Sequence, residues 1–414
     1  MEIALKSAPN ISEEFLRSIP KTDIHLHLDG SLRLPTLIEL AKKQRVKLPS
    51  YSADGLRRLV FKKQYADLTE YLRGFAYTCA VMQDAESLER IAFELAEDNL
   101  AEGVRYIEVR FAPQLHVHDK LSMEQVLRAV SRGLERAQRE HNRSAAVRRG
   151  DDVPFHFGII VCALRFFSPA MSPYYERLFR VLYYATPKQV FAAASLELAR
   201  AAVDLVREKG VPIVGFDLAG AEAGNPADDH RAAFQYCHSH FLKKTIHAGE
   251  AYGPESIFRA ITDCYANRIG HGTWLFEHSM IKHPSITDPE GYSQQLAEYI
   301  ASGRITLEVC LTSNTQTHPK LRNLARHPLR QMLDHDLSIS LCTDNRLISH
   351  TTVTNELLQA VRHLKMNARE LRNVVVAGFK GSFFPGTYRE KRHFVRQVID
   401  RYEALAAAAL KVEG

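Results

Sequence analysis

The sequence predicts an α/β protein, a (β/α)8 TIM barrel with a helical insertion after its first strand. Two observations lead to this prediction. Eight short segments rich in β-branched or aromatic residues follow one another along the 414-residue chain, and helical stretches separate them. Such an alternation, repeated eight times, is typical of a parallel barrel. A doubly wound open sheet is the alternative, but no GxGxxG turn follows any of the segments.

Polar or glycine residues follow each of the predicted strands, as expected where a buried strand ends. The eight strands are predicted at residues 22–28, 104–111, 155–164, 211–218, 244–247, 268–271, 304–311 and 337–343. Between them, apolar side chains recur at steps of three and four, which predicts amphipathic helices. The clearest helices are predicted at residues 85–102, 192–209, 254–265 and 292–302, and Gly210 is placed to end the second of them.

The interval between the first two strands is too long for a single helix. Residues 34–100 hold at least two helices and an aromatic-bearing segment, YADLTEYLRGFAYT. We expect one domain over residues 1–414, with this insertion and with C-terminal helices at about 353–414. The insertion either covers the C-terminal mouth of the barrel or packs beside it, and the sequence favours neither arrangement.

Composition excludes several classes of protein. Hydrophobic residues make up 45% of the chain and charged residues 25%, which is ordinary globular usage. No apolar run approaches the roughly 18 residues of a membrane span. The net charge of +6 is mild, and the densest basic stretch, at 143–149, has no interleaved aromatic residue, so no nucleic-acid partner is expected.

The N-terminal segment and the spacing of the cysteines indicate where in the cell the protein is expected. The N-terminal MEIALKSAPN lacks the basic and apolar regions of a secretory signal. None of the six cysteines is spaced as CxxC, so a disulfide framework or a thiolate zinc site is not expected. Reduced thiols in a cytoplasmic protein agree best with this pattern.

The first predicted strand ends in HLHLDG and carries two histidines. Because residues two apart share one face of a strand, His25 and His27 point the same way. In a barrel that face is the interior, where two imidazoles are costly unless they are paired or bound to a metal. Alone, the pattern is also compatible with a half-exposed edge strand.

Four more strand ends carry polar groups that a core would not favour. They lie at residues 217–222, 247–250, 270–272 and 343–345. A single histidine is usually a satisfied core residue, and an aspartate after a strand is often a helix N-cap. Five such groups at one end of one barrel favour a site instead, because barrel enzymes carry their chemistry at the C-terminal ends of strands.

Three histidines and an aspartate form a donor set suited to zinc, although imidazole and carboxylate also take iron or manganese. A metal-bound water supplies hydroxide at neutral pH. Glu250 and His271 are then available as general acid and base. The predicted reaction class is metal-assisted hydrolytic attack on an electrophilic carbon.

Five motifs, taken in order, resemble the adenosine deaminase family of the amidohydrolase superfamily. They are KTDIHLHLDGSL, GFDLAGAE, HAGE, RIGHG and SLCTDN. They run from Lys21 to Asn345, about four fifths of the chain, and as an ordered set they are highly specific. TDNRLIS resembles a bacterial-type branch, with TDN in place of TDD. The fourth strand ends without the lysine that often bridges two metals in other amidohydrolases, which favours a single metal.

The resemblance implies a metal site and three catalytic groups. Glu250 would protonate purine N1, His271 would orient or deprotonate the water, and Asp344 would help to position the hydroxide. Attack at C6 and loss of ammonia would give the 6-oxo purine. One Zn²⁺ per chain would be held by His25, His27, His247 and Asp344.

The resemblance also implies substrate contacts at His27, Asp29, Gly220 and Asn345. Asp29 matches the residue that holds the ribose 5′-hydroxyl, and Gly220 matches the glycine whose backbone amide meets purine N3. Asn345 stands where the family often has a second aspartate that bonds purine N7. Because an amide NH₂ is a permanent donor, we expect Asn345 to keep this contact without needing a protonated carboxyl.

The expected function is hydrolysis of adenosine and deoxyadenosine to the inosine product and ammonia, with a small-molecule purine nucleoside as the partner. Alternatives are a modified adenine nucleoside such as aminodeoxyfutalosine, another amidohydrolase reaction, and a catalytically dead nucleoside-binding relative. The last is disfavoured because the implied ligands, Glu250 and His271 are all present. Neither a membrane nor a nucleic acid is expected as a partner, and the oligomeric state is open.

Weaker features have a structural as well as a functional interpretation. Arg165 is expected to form an ion pair rather than to contact substrate. Ser313 and Asn314 either line the pocket or form a turn, and Trp274 is either a packing anchor or a pocket wall. Two histidine pairs are expected at the surface, at residues 116 and 118 and at residues 238 and 240.

Overall fold

The computed structural model describes residues 11–412, and its centre is a parallel barrel. The strands are hydrogen-bonded in chain order, each to the next, which confirms the predicted fold and all eight predicted strands. They are β1 (Lys21–His27), β2 (Val104–Phe111), β3 (His156–Leu164), β4 (Ile213–Ala219), β5 (Lys243–Ala248), β6 (Arg268–His271), β7 (Thr306–Val309) and β8 (Ile339–Leu341).

Helices surround the barrel. Before β2 they are α1 (Glu13–Ser18), α2 (Leu34–Gln44), α3 (Ala53–Leu59), α4 (Leu68–Leu72), α5 (Phe75–Ala80) and α6 (Ala85–Ala101). Up to β6 they are α7 (Met123–Asn142), α8 (Ala145–Arg149), α9 (Pro173–Val181), α10 (Pro187–Lys209), α11 (Arg231–Ser239) and α12 (Pro254–Thr262). The remainder are α13 (Pro289–Ser302), α14 (Leu311–Thr317), α15 (Leu329–Asp334), α16 (Val353–Leu364), α17 (Ala368–Gly381) and α18 (Tyr388–Val412).

The predicted end of the helix at 192–209 is confirmed, whereas its start lies five residues before the predicted Ala192. Helix α10 begins after Thr186, whose side chain accepts from the Gln189 amide, and ends at Gly210 in the left-handed region at φ 63°. The predicted strand at 304–311 is shorter than expected. Its last residues turn into α14, which begins at Leu311, and this helix was not predicted.

The seam between β1 and β8 closes through the predicted ligands. The His27 amide donates to the Asp344 carbonyl at 2.8 Å, and the Asp344 amide donates to the His25 carbonyl at 2.9 Å. These bonds bring the C-terminal ends of the two strands side by side. Residues more than 300 positions apart in sequence therefore meet at one end of the barrel.

The insertion lies across the mouth of the barrel. The Tyr71 hydroxyl, on α4, is 2.7 Å from the Ser349 hydroxyl, in the loop after β8. The Tyr65 hydroxyl donates to the Ile348 carbonyl at 3.1 Å. Of the two arrangements that the sequence left open, the first is therefore found.

Two of the weaker expectations are wrong. His116 is buried, not at the surface, because the insertion covers its loop and its ring lies beside Phe111; burial lowers its pKa to about 4. Arg165 pairs with no carboxylate in the part of the chain that the structure describes, and it donates instead to the carbonyls of Asn225 and His247.

Other expectations are not tested by the fold. The N-terminal segment MEIALKSAPN lies outside the described residues. That residues 1–414 form one domain stays a prediction. Within residues 11–412, no helix combines the length and the apolar composition needed to cross a bilayer.

Candidate active site

Seven of the predicted site residues line one cavity at the C-terminal end of the barrel. They are His27, Gly220, His247, Glu250, His271, Asp344 and Asn345. Of the others, His25 lies fully buried beside them. Asp29 is also buried, with its Oδ1 atom 3.9 Å from Nδ1 of His27, and burial raises its pKa to about 7. The polar strand ends therefore converge, as the barrel geometry predicts.

The imidazoles and the Asp344 carboxylate point their donor atoms at one another. Oδ1 of Asp344 lies 3.5 Å from Nε2 of both His25 and His27, and Nε2 of His27 lies 3.2 Å from Nε2 of His247. Nε2 of His25 is buried and has no hydrogen-bond partner among residues 11–412. Ligand atoms of His25, His247 and His271 also lie within 4.8 Å of one another. A divalent metal ion would satisfy this nitrogen and oxygen donor set.

Buried carboxylates on the far side of two rings hold them in the orientation that a metal requires. Glu308 Oε2 accepts from Nδ1 of His25 at 2.8 Å, and Asp217 Oδ2 lies 3.1 Å from Nδ1 of His247. With the proton held on Nδ1, the lone pair of each Nε2 faces the cluster. The second carboxylate belongs to the GFDLAGAE motif, whereas sequence reasoning missed Glu308.

Two buried arginines join these carboxylates inside the barrel. Arg110 contacts Asp217 at 3.1 Å and Glu308 at 2.8 Å. Arg268 contacts Glu308 at 2.6 Å and also pairs with Glu108. Burial alone would raise the pKa of Glu308, but the two guanidinium groups hold it well below its ordinary value. We call these five residues the barrel charge network.

Ser313 holds the other oxygen of Asp344. Its hydroxyl, on α14, donates to Oδ2 at 2.6 Å and leaves Oδ1 for the imidazoles. Burial alone would raise the pKa of Asp344, but His25, His271 and His27 hold it well below its ordinary value. Asp344 and His271 have left-handed backbone conformations, with φ of 60° and 65°.

Glu250 is a buried acid on the same cavity. Burial raises its pKa to about 8; the charges of Asp344 and Glu222 add to this effect, and His247 opposes it. Its Oε1 atom lies 3.7 Å from Nε2 of His271. A carboxyl group with this pKa carries a proton at neutral pH, which is what a general acid requires.

The backbone around Glu250 is held by the Glu222 carboxylate, from the end of the GFDLAGAE motif. This carboxylate accepts the four consecutive amides of residues 249–252, at 3.1, 3.0, 2.6 and 3.0 Å, and also the Ser256 hydroxyl. Trp274 adds a bond from its indole to the Glu250 carbonyl at 2.6 Å, so it supports the loop and is not among the lining residues.

We expect Glu222→Gln to lower kcat by about 10²-fold, because a displacement of about 1 Å in a catalytic group has an effect of that size. The introduced NH₂ group faces backbone N–H donors and cannot accept from them, so the loop that carries Glu250 shifts. Steady-state kinetics, beside metal content and thermal unfolding, measure this effect. Full activity in a folded variant would mean that the loop holds its shape without the carboxylate.

Asn345 contacts the insertion. Its Nδ2 atom donates to the Tyr71 hydroxyl at 2.8 Å, and its Oδ1 atom is buried without a partner in the described part of the chain. Gly30 is required beside it, because a Cβ at that position would lie 1.7 Å from Oδ1. One amide hydrogen of Asn345 remains available to the cavity.

The cavity is small and roofed by apolar side chains. Its volume is about 40 Å³, whereas ligand pockets usually measure about 300–1,000 Å³. Gly220 lies in its wall at φ 96°, a conformation that favours glycine. The roof consists of Leu68, Tyr71, Leu72 and Phe75, all from α4 and α5. Admission of a nucleoside-sized ligand therefore requires this roof to open.

Comparison with known proteins gives a consistent result. A family model described as adenosine deaminase matches residues 20–401. An adenosine deaminase of Mycolicibacterium vanbaalenii is 35% identical over 398 residues, which cover 94% of this chain and 97% of that protein. A probable adenosine deaminase of Dictyostelium discoideum is 31% identical over 380 residues; they cover 92% of this chain but 42% of that longer protein.

A similar solved structure has the same architecture. The N6-mAMP deaminase of Arabidopsis superposes with a TM-score of 0.70 at 25% identity, and the match covers 94% of this chain and 99% of that one.

Proposed function

The chain belongs to the adenosine deaminase family and is a hydrolase that deaminates by breaking a C–N bond, and we propose that its substrate is a 6-aminopurine nucleoside. Adenosine or deoxyadenosine would give inosine or deoxyinosine and ammonia. The observation that carries the proposal is a buried acid, Glu250, on the same cavity as a cluster of three imidazoles and a carboxylate.

Different residues activate the purine ring and supply the attacking water. A divalent metal ion held by His25, His27, His247 and Asp344 would supply a nucleophilic water at neutral pH. Glu250 gives its proton to N1, which makes C6 electrophilic. The water oxygen adds to C6 and the C6–N6 bond breaks; one proton of the water leaves with the amino group as ammonia, and the other restores the proton of Glu250. His271 lies beside Glu250, with Nε2 of its ring 3.7 Å from Oε1 of the acid.

The remaining contacts bind the purine and the sugar. The Gly220 backbone amide donates to N3, the Asn345 amide donates to N7, and Asp29 accepts the ribose 5′-hydroxyl. The helices α4 and α5 shift to admit the nucleoside and then close over it, which excludes water from the site. The expected cytoplasmic location, and zinc as the single bound metal, stay predictions.

A nucleoside agrees with the site better than a nucleotide does. The similar solved structure is that of an N6-mAMP deaminase, whose substrate carries a 5′-phosphate. Among the described residues, those lining this cavity include no lysine or arginine, and the nearest sugar-binding candidate is the carboxyl group of Asp29. A phosphate would face no balancing charge there. A modified adenine nucleoside remains the second candidate.

We expect kcat/KM to fall by about tenfold per pH unit above about pH 8, because the proton-donating form of Glu250 is then lost. The sign follows from the raised pKa: the active protonated form is present below about 8 and disappears as the pH rises through it. A pH profile with saturating metal measures this. Activity that is constant from pH 7 to pH 10 would contradict the role of Glu250.

Asn345→Asp is expected to add a second alkaline loss of kcat/KM, because an aspartate donates to N7 only when protonated. With 7-deazaadenosine, which lacks N7, the kcat/KM of the wild-type enzyme should be about tenfold lower than with adenosine, the value of one hydrogen bond. At high pH, Asn345→Asp should discriminate less between these two substrates. An unchanged pH profile in the variant would contradict the contact.

Ultraviolet absorbance with adenosine tests the proposed function directly. The metal-loaded protein is compared with a chelated sample, and AMP and deoxyadenosine are assayed in parallel. Chelator-sensitive conversion of adenosine to inosine supports the proposal. Conversion of AMP alone would favour a nucleotide substrate. Stoichiometric metal without conversion of any of the three would direct the search to modified adenine nucleosides.

A further inference from the structure

A buried chain of hydrogen bonds leads away from the catalytic candidate His271. Nδ2 of Asn314, on α14, lies 3.3 Å from Nδ1 of His271. Oδ1 of the same asparagine lies 3.2 Å from Nε2 of His327, and the Leu329 backbone amide donates to Nδ1 of His327 at 3.1 Å. All three side chains are at most 2% exposed.

The direction of every bond in this chain follows from its last member. The Leu329 N–H can only donate, so Nδ1 of His327 carries a lone pair. The one ring proton of a neutral His327 is then on Nε2, and it is donated to Oδ1 of Asn314. The opposite amide orientation would leave His327 without any ring proton. Nδ2 of Asn314 is therefore the atom that faces His271.

The same logic fixes the tautomer of His271. Because the Asn314 NH₂ group donates to it, Nδ1 of His271 must be unprotonated. An imidazolium is excluded as well, since both of its nitrogens carry protons. The ring proton of His271 is on Nε2, the nitrogen that lies 3.7 Å from Oε1 of Glu250.

We propose that Asn314 and His327 are positioning residues that hold His271 as a neutral imidazole with its proton on Nε2. His271 then presents an N–H donor to the reacting groups and cannot take a proton through that nitrogen. Of the two roles left open for it, orienting the water or deprotonating it, this arrangement selects the first. Neither Asn314 nor His327 lines the cavity. The catalytic consequence rests on the proposed function; the tautomer does not.

The nitrogen NMR spectrum of histidine decides the tautomer. The chain is labelled with ¹⁵N at its histidine rings, loaded with Zn²⁺ and recorded at neutral pH, and the His271 signals are assigned by their loss in His271→Gln. We expect Nδ1 to give an unprotonated signal and Nε2 a protonated one. The reverse pattern, or protons on both nitrogens, would overturn the proposal. This result is independent of whether any nucleoside is deaminated.

Asn314→Asp reverses the polarity of the bond with little change of shape. A carboxylate oxygen facing Nδ1 of His271 can only accept, so the ring proton should move to Nδ1. We expect kcat to fall by about 10–100-fold, as for other residues that orient a catalytic ligand, with KM nearly unchanged. Thr315→Ala is the matched control on the same helix, because within residues 11–412 the Thr315 hydroxyl bonds only the Thr312 carbonyl.

The two readouts separate the outcomes. A proton moved to Nδ1 together with a lower kcat supports both the hydrogen-bond chain through Asn314 and His327, here called the relay, and the orienting role of His271. A moved proton with unchanged kcat would overturn the catalytic consequence, and an unmoved proton in the folded variant would overturn the relay. If Asn314→Asp does not fold, the wild-type spectrum still decides the tautomer. If the wild type deaminates nothing, the proposed function fails while the spectrum still tests the relay.

Discussion

Glu250→Gln should lower kcat by about 10²–10⁴-fold, the range for removal of a general acid. Glutamine has the same shape and remains polar, but its amide cannot deliver a proton to N1. The four backbone amides that Glu222 holds are unaffected, so the loop keeps its position. KM should change little, because the main loss is in the transition state.

Kinetics, metal content and thermal unfolding of this variant are measured together. The residual activity should no longer fall near pH 8, since the titrating group is gone. Glu290→Gln provides the control: Glu290 is an exposed acid in the first turn of α13, away from the site. If Glu250→Gln keeps more than a tenth of the wild-type kcat, another group must protonate the ring.

Glu308→Gln should lower the free energy of unfolding by about 3–5 kcal/mol, because it breaks a buried charge pair and leaves the other charge uncompensated. The Glu308 carboxylate accepts from His25, Arg110, Arg268 and Thr245, and all of these groups are buried. An amide loses the negative charge and turns an NH₂ group toward donors. Metal affinity should also fall by about 10–100-fold, since His25 loses the acceptor that orients it.

Urea unfolding of the chelated protein separates the stability effect from the metal effect, and a Zn²⁺ titration then measures affinity. Glu298→Gln, on the outer face of α13, is the matched control because its side chain is exposed. A loss of stability below about 1 kcal/mol, the scale of an ordinary hydrogen bond, would mean that the barrel charge network adjusts around the amide.

The strands and their polar ends could be predicted because both signals are local. A strand's β-branched residues and the histidines or glycines that follow it lie within ten positions of each other. The barrel then brings the strand ends together without further information. Glu308 and Arg110 could not be recognised in the same way, because a charged residue within a strand carries no local signal of the partner that it will meet; β2 alone holds Arg105, Glu108 and Arg110. Only the closed barrel joins them to His25 and Asp217.

Helix α14 and the roof of the cavity could not be predicted from local sequence signals, for a related reason. The strand pattern at 304–311 continues to Leu311 without any signal of a break, although α14 begins at that residue. This helix places both Ser313 and Asn314 against the site. The position of the insertion depends on contacts such as that of Tyr71 with Ser349, which are 278 residues apart. No local sequence pattern marks either the start of α14 or the contact between Tyr71 and Ser349.

The left-handed backbone of His271 has an evolutionary consequence. A residue with a Cβ atom at φ 65° has a steric cost of about 1–2 kcal/mol that glycine would avoid. Its neighbours on both sides are already glycine. A lineage that replaced His271 by a third glycine would relieve the backbone but would lose the buried ring, its contact with Asn314 and the imidazole itself. The strained backbone is therefore maintained by the packing and hydrogen bonding of the side chain, as is common for residues at functional sites.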